Sequence, residues 1–141
     1  MSTDTKTINA YNKFAKEWSA THKDNKDLNH LFNEKPAMHS LLPNLEGKSV
    51  LCIGCGSGEE CEFLVNNGAT KVIGIDISDG LIEEAKKSYP ELEFKVMDME
   101  KLEFEDESFD LIYSSLAVHY IEDWTKLMSE VSRVLKSGGE F

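Results

Sequence analysis

The chain has 141 residues, enough for one domain, and 40% of them are apolar, which supports a buried core and excludes a disordered polymer. Its formal net charge of −11, with Arg133 as the sole arginine, opposes nucleic acid as a partner, because phosphate neutralisation needs clustered cations. No apolar run approaches the roughly 20 residues of a membrane span, and the first residues lack a signal-peptide apolar segment. No membrane partner is therefore expected, and the expected location is the cytoplasm, with the three cysteines as thiols.

In chain order, Ile8, Tyr11, Ala15 and Trp18 fall on one stripe of a helix, with Phe14 beside it. The polar stretch from His22 to Asp27 reads as a loop. Ala37, Met38, Leu41 and Leu42 predict a short second helix, with Pro36 in its first turn and Pro43 at its end. From residue 49 the pattern alternates. Ser49–Ile53 is a predicted strand, and Glu59–Asn67 a helix closed by Gly68. Lys71–Asp76 is the second strand, followed by a helix capped by Ser78 and running to Ser88. Leu92–Val96 is the third strand, 98–108 an acidic loop, and Phe109–Ser115 the fourth strand. Asp123 caps a helix in which Trp124, Leu127, Met128, Val131, Val134 and Leu135 keep a 3.6 period. Ser137-Gly138-Gly139 is expected to end that helix, with a stub of a fifth strand at Glu140-Phe141.

Strands alternating with helices, and strands apolar on both faces, predict a doubly wound parallel α/β sheet. Residues 1–45 read as an N-terminal helical cap and 46–141 as the core.

The chemistry concentrates after the first strand. Val50 to Ile53 is followed by glycines at 54, 56 and 58, and then Glu59 and Glu60 open a helix. Such a turn leaves bare backbone at a helix N-terminus, against which a ligand can lie. Asp76 ends the next strand. The spacing is G-x-G-x-G rather than the G-x-G-x-x-G of dinucleotide folds, which points to an adenosine-containing ligand other than NAD.

Other readings of these residues compete. Three glycines could form a turn with no ligand, and Asp76 could only cap the following helix. Cys52 and Cys55 have the C-x-x-C spacing of thiol oxidoreductases, but Cys52 lies inside an apolar strand and glycines surround Cys55. Adding Cys61 leaves a zinc site one ligand short, and His22, His30 and His39 lack metal-ligand spacing, so no metal is expected. His119 could be a packed or solvated imidazole, and Tyr11 and Trp18 could be core residues.

The ordered set Val50–Gly58, Gly74–Ile77, Val96–Met99, Phe109–Tyr120 and Leu135–Phe141 resembles class I S-adenosylmethionine-dependent methyltransferases of the small-molecule, type 11-like group. The resemblance implies a Rossmann-like sheet of order 3-2-1-4 with a stub of strand five. It implies S-adenosylmethionine as cofactor and S-adenosylhomocysteine as product. By this resemblance Gly54, Cys55, Gly56 and Gly58 form the turn under the methionine part of the cofactor. Asp76 accepts from both ribose hydroxyls, since a carboxylate offers two acceptor oxygens. Ile77 packs on the adenine, Asp98 accepts from its amino group, and the Met99 amide donates to a ring nitrogen. Ser114 and Ser115 lie near the methionine end, and Tyr11 and Trp18 belong to a helix that folds over the cofactor as a lid.

Two features depart from that pattern. Cys52 stands where the family usually carries an acid, so affinity is expected to rest on Asp76 and Asp98. The chain also stops as strand five begins, before the strands that wall the family's substrate pocket. The implied activity is methyl transfer to a small-molecule acceptor, an in-line displacement in which the protein mainly supplies position. His119 is the candidate base where the acceptor must lose a proton, and Tyr120 is a second polar contact. The alternative is a non-catalytic cofactor-binding fragment or module. An exposed sheet edge would favour a homodimer.

Overall fold

The computed structural model describes residues 3–24 and 30–141. Among the described residues, five parallel strands form one sheet: β1 (Ser49–Ile53), β2 (Lys71–Asp76), β3 (Glu93–Val96), β4 (Phe109–Ser114) and β5 (Leu135–Glu140). Their spatial order is β3-β2-β1-β4-β5. β1 is central, pairing Val50 with Val72 on one side and with Leu111 on the other.

Strand residues alternate between two cores, because side chains in a strand point to opposite faces by turns. Val50, Cys52, Val72, Leu111 and Tyr113 pack on one face with helices α3 (Glu59–Asn66) and α4 (Asp79–Ser88). Leu51, Ile53, Ile73, Ile75 and Ile112 pack on the other with α5 (Trp124–Val134). Covering both faces is why the strands are apolar throughout.

The cap is α1 (Thr5–Lys23), a short π-helical segment His30–Glu34, and α2 (Lys35–Ser40). Asp4 caps α1, accepting from the Lys6 and Thr7 amides at 2.9 and 3.2 Å. α1 packs on α4. Asn12 Oδ1 accepts from the Ser78 hydroxyl at 2.6 Å, while Ser78 Oγ accepts from the Leu81 amide at 3.2 Å. Lys23 hydrogen-bonds Ser88 at the far end. The expected loop over 22–27 therefore starts later, since His22 and Lys23 complete the last turn of α1, and residues 25–27 lie outside the described residues.

The end of the chain differs most from expectation. Strand five is not a stub at residues 140–141 but a six-residue strand that takes over directly from α5. The cause is tertiary. The last helical carbonyls, of Arg133 and Val134, accept from the amides of Glu107 and Ser108 at 2.9 and 2.8 Å. Leu135 then turns extended and pairs with Phe109. Glu140 pairs with Leu111, so residues 136–139 bulge opposite Asp110 alone.

Candidate functional site

The cleft opens at the C-terminal ends of β1, β2 and β4, where open α/β sheets bind ligands. Its floor is the loop after β1. The Cys55 amide donates to the Ile75 carbonyl at 2.9 Å, which ties this loop to β2. Gly54 has φ +68, and a Cβ there would lie 2.2 Å from the Ala117 Cβ, so only glycine fits. Gly56 has φ +53, and a Cβ there would lie 3.5 Å from Trp18 Nε1, in a gap that α1 roofs.

Asp76 closes the other side of the loop. Its Oδ2 accepts from the Gly56 amide at 3.0 Å and its Oδ1 from the Ser78 amide at 2.9 Å. Burial pushes its carboxyl above the ordinary value, against the lowering effect of these amides and that of Ile77. The Gly56 and Ser78 amides go to different oxygens, and three amides against four lone-pair sites leave the carboxylate acceptor capacity for a further donor.

Tyr11 and Trp18 come from α1. The Tyr11 hydroxyl bonds the Tyr120 hydroxyl at 2.6 Å, joining the cap to the short 3-10 turn Val118–Tyr120. The Tyr11 ring meets Trp18 and Tyr120 edge-on, with centroids 5.5 and 5.9 Å away. Burial and the Tyr120 hydroxyl raise the Tyr11 hydroxyl well above its ordinary pKa, so it stays protonated.

Of the predicted site residues, Gly54, Cys55, Gly56, Asp76, Ile77 and Met99 line the cleft, as do Ser115, Tyr11 and Trp18. The other four do not. Gly58 faces the packing under α3, where a Cβ would meet Phe94 at 2.8 Å. The Ser114 hydroxyl donates to the Ile53 carbonyl at 3.0 Å. Asp98 is a turn residue whose Oδ1 accepts from the Glu100 amide at 2.9 Å. His119 is exposed, with its ring 4.1 Å from that of Tyr120. Successive residues of a 3-10 turn point about 120° apart, so Tyr120 at the cleft turns His119 outward.

Sequence reading missed three acidic lining residues, Glu34, Glu59 and Glu60. Together with Asp76 they leave the lining with four carboxylates and no lysine or arginine among the described residues. The signal for two of them was present: a helix opening on two glutamates straight after a glycine loop.

The cysteines are buried thiols. Burial pushes Cys55 up to about 11; the Cys61 thiol and then burial raise Cys52 well above the ordinary range, and Cys61 is raised as well, by Cys55 and burial against the lowering effect of Cys52. Neutral thiols are poor nucleophiles and poor metal ligands. Among the described residues no group of His, Cys, Asp or Glu could hold a metal ion. No helix among them is long and apolar enough to cross a membrane.

A parallel sheet carrying a glycine loop and an amide-anchored carboxylate defines a nucleoside-type cofactor domain. Comparison with known proteins narrows it. Residues 51–141 match the family model described as "Methyltransferase domain". An uncharacterized protein of Haemophilus influenzae is 42% identical over 75% of this chain and 45% of its own length. The trans-aconitate 2-methyltransferase of Variovorax paradoxus is 32% identical over 74% of this chain and 42% of its own length. The crystal structure of an S-adenosylmethionine-dependent methyltransferase from Mesorhizobium loti is 36% identical, with a TM-score of 0.68 over 72% of this chain and 48% of that one. The chain belongs to the class I S-adenosylmethionine-dependent methyltransferases, and S-adenosylmethionine is its cofactor. It spans less than half the length of these three relatives.

Proposed function

We propose that this chain binds S-adenosylmethionine in the cleft and transfers its methyl group to a small-molecule acceptor. The observation that carries the reading is Asp76. Its carboxylate is pinned by the Gly56 and Ser78 amides, one on each oxygen, beside a loop without side chains, and it keeps acceptor capacity for a sugar hydroxyl. That is the acceptor pattern a ribose diol needs.

On this reading the β2–β3 side of the cleft, with Ile77, Leu81, Met97 and Met99, takes the adenine. Gly54, Cys55 and Gly56 lie under the methionine portion, and Ser115 flanks it. Tyr11 and Trp18 form the lid, which excludes water and offers aromatic surface to a cation. The cofactor supplies a methyl group already activated by the sulfonium. The protein's contribution is therefore alignment. His119 faces away from the cleft, so Tyr120 is the hydroxyl on that loop nearest to acting on an acceptor. A cytoplasmic location and a homodimer through an exposed sheet edge complete the proposal. Light scattering giving a stable monomer mass would remove the dimer.

The test is turnover. The protein with methyl-labelled S-adenosylmethionine is offered amine, thiol, hydroxyl and activated-carbon acceptors. Label should reach at least one acceptor class, and His119→Ala should retain the activity. Cofactor binding with no transfer to any class would refute the transferase reading and leave a non-catalytic binding module.

A further inference from the structure

Glu60 stands in the first turn of α3, directly after the glycine loop, and lines the cleft. Its side chain is only 14% exposed. Two fixed partners hold it. Its Oε2 accepts from the Tyr113 hydroxyl and from His39 Nε2, each at 3.0 Å. Tyr113 is buried in β4, and the His39 ring stacks on Phe63 with centroids 3.5 Å apart. Both bonds go to the same oxygen, so Oε1 keeps its acceptor capacity, with no hydrogen-bond partner among the described residues.

The sheet order fixes which end of the cleft this is. Asp76, Ile77 and Met99 follow β2 and β3. Tyr113 belongs to β4 and is the register partner of Cys52 in β1, so Glu60 is anchored at the β1–β4 end, away from the adenosine side. A cofactor whose ribose sits at Asp76 and whose adenine lies toward β3 extends its amino-acid portion toward this end. That portion carries an ammonium group. The histidine that can pair with this mostly buried carboxylate engages Oε2 alone, so Oε1 is left for another donor, and a charge-assisted bond from an ammonium is the interaction that best offsets the cost of burying it.

We propose that Glu60 Oε1 binds the α-ammonium of the cofactor's methionine portion and thereby sets where the sulfonium lies along the cleft. This rests on the reading of the cleft as an S-adenosylmethionine site. Tyr113 and His39 act through Glu60, as positioning residues that hold the carboxylate still.

The experiment is calorimetric, on the wild-type chain and Glu60→Gln, with two ligands. S-adenosylhomocysteine carries the ammonium; 5′-methylthioadenosine has the adenosine and the sulfur but no amino acid. A hydrogen bond to a charged group is worth about 1.5–3 kcal/mol, so Glu60→Gln should weaken S-adenosylhomocysteine at least about tenfold. It should leave 5′-methylthioadenosine within about twofold. Unchanged affinity for S-adenosylhomocysteine, or equal weakening of both ligands, overturns the assignment, the second because it marks a structural role. Wild-type protein that binds neither ligand overturns the reading of the cleft itself. Should the variant not fold, the wild type alone decides. The deaminated analogue of S-adenosylhomocysteine should bind at least about tenfold more weakly than the parent, and equal affinity overturns the proposal.

Discussion

Gly54→Ala should be among the most damaging small substitutions in this chain, and its cost can be worked out in two parts. The backbone part comes from φ +68, where an L-residue is disfavoured by roughly 1–2 kcal/mol. The contact part comes from the new Cβ, 2.2 Å from the Ala117 Cβ, well inside contact distance. Overpacking of this kind costs about 1–3 kcal/mol. The sum is roughly 2–5 kcal/mol, which at about 3 °C per kcal/mol lowers Tm by some 6–15 °C. Gly47 supplies the control, because it has φ +75 with nothing within 4 Å of its Cβ position. Gly47→Ala should cost only the backbone part. Urea unfolding followed by far-UV circular dichroism measures both. Adding Ala117→Gly to Gly54→Ala should return about 1–3 kcal/mol as a coupling between the two sites. The reasoning is refuted if Gly54→Ala costs no more than Gly47→Ala, or if the double variant shows no coupling. Either result would mean that the loop after β1 does not rest on the segment after β4, and the cleft floor would be wrong.

Arg133 organises the acidic loop, donating to the Leu102 and Phe104 carbonyls at 2.7 Å and to the carboxylates of Glu130 and Asp106. Arg133→Lys loses this fork and should cost about 1–3 kcal/mol in urea unfolding, with faster amide exchange at Leu102. An unchanged midpoint would dismiss that role. Of the two tryptophans, Trp18 lines the cleft and Trp124 does not. S-adenosylhomocysteine should alter fluorescence in Trp124→Phe but not in Trp18→Phe; a change that survives in Trp18→Phe contradicts the lid. Burial raises the folded-state pKa of Asp76 above its unfolded value. Its ionised form is therefore a stability cost at neutral pH that is relieved as pH falls through the folded pKa. The same protonation removes an acceptor for the ligand. Affinity for S-adenosylhomocysteine should weaken on acidification from neutrality before an ordinary carboxylate would titrate. Over that range the ligand-free wild type should gain stability relative to Asp76→Asn. An affinity flat down to the ordinary carboxylate range would contradict this.

The strands were legible because each apolar run is too short for a helix and is bounded by turn residues or charges. The glycine loop and Asp76 were legible because their spacing along the chain is their chemistry: both sit where a parallel strand ends. β5 was hidden for a tertiary reason. The helical period of α5 runs through Leu135 in sequence. The switch to a strand is decided by Phe109 and by the Glu107 and Ser108 amides, which lie well before it in the chain. Glu34 and Tyr120 reach the cleft only because the cap docks on α4 and a 3-10 turn follows β4. Neither event leaves a local mark, which is also why it is Tyr120, and not His119, that lines the cleft. Glu60 was visible as a residue but not as a wall of the cleft, since that depends on Tyr113 and His39 holding it there.

Calorimetric titration of S-adenosylhomocysteine into the wild-type chain and into Asp76→Ala probes the foundation of all this. The wild type should bind one equivalent. Loss of two charge-assisted bonds, each about 1.5–3 kcal/mol, should weaken Asp76→Ala at least about a hundredfold. No heat from the wild type at millimolar ligand, or the same Kd for both proteins, would contradict the account.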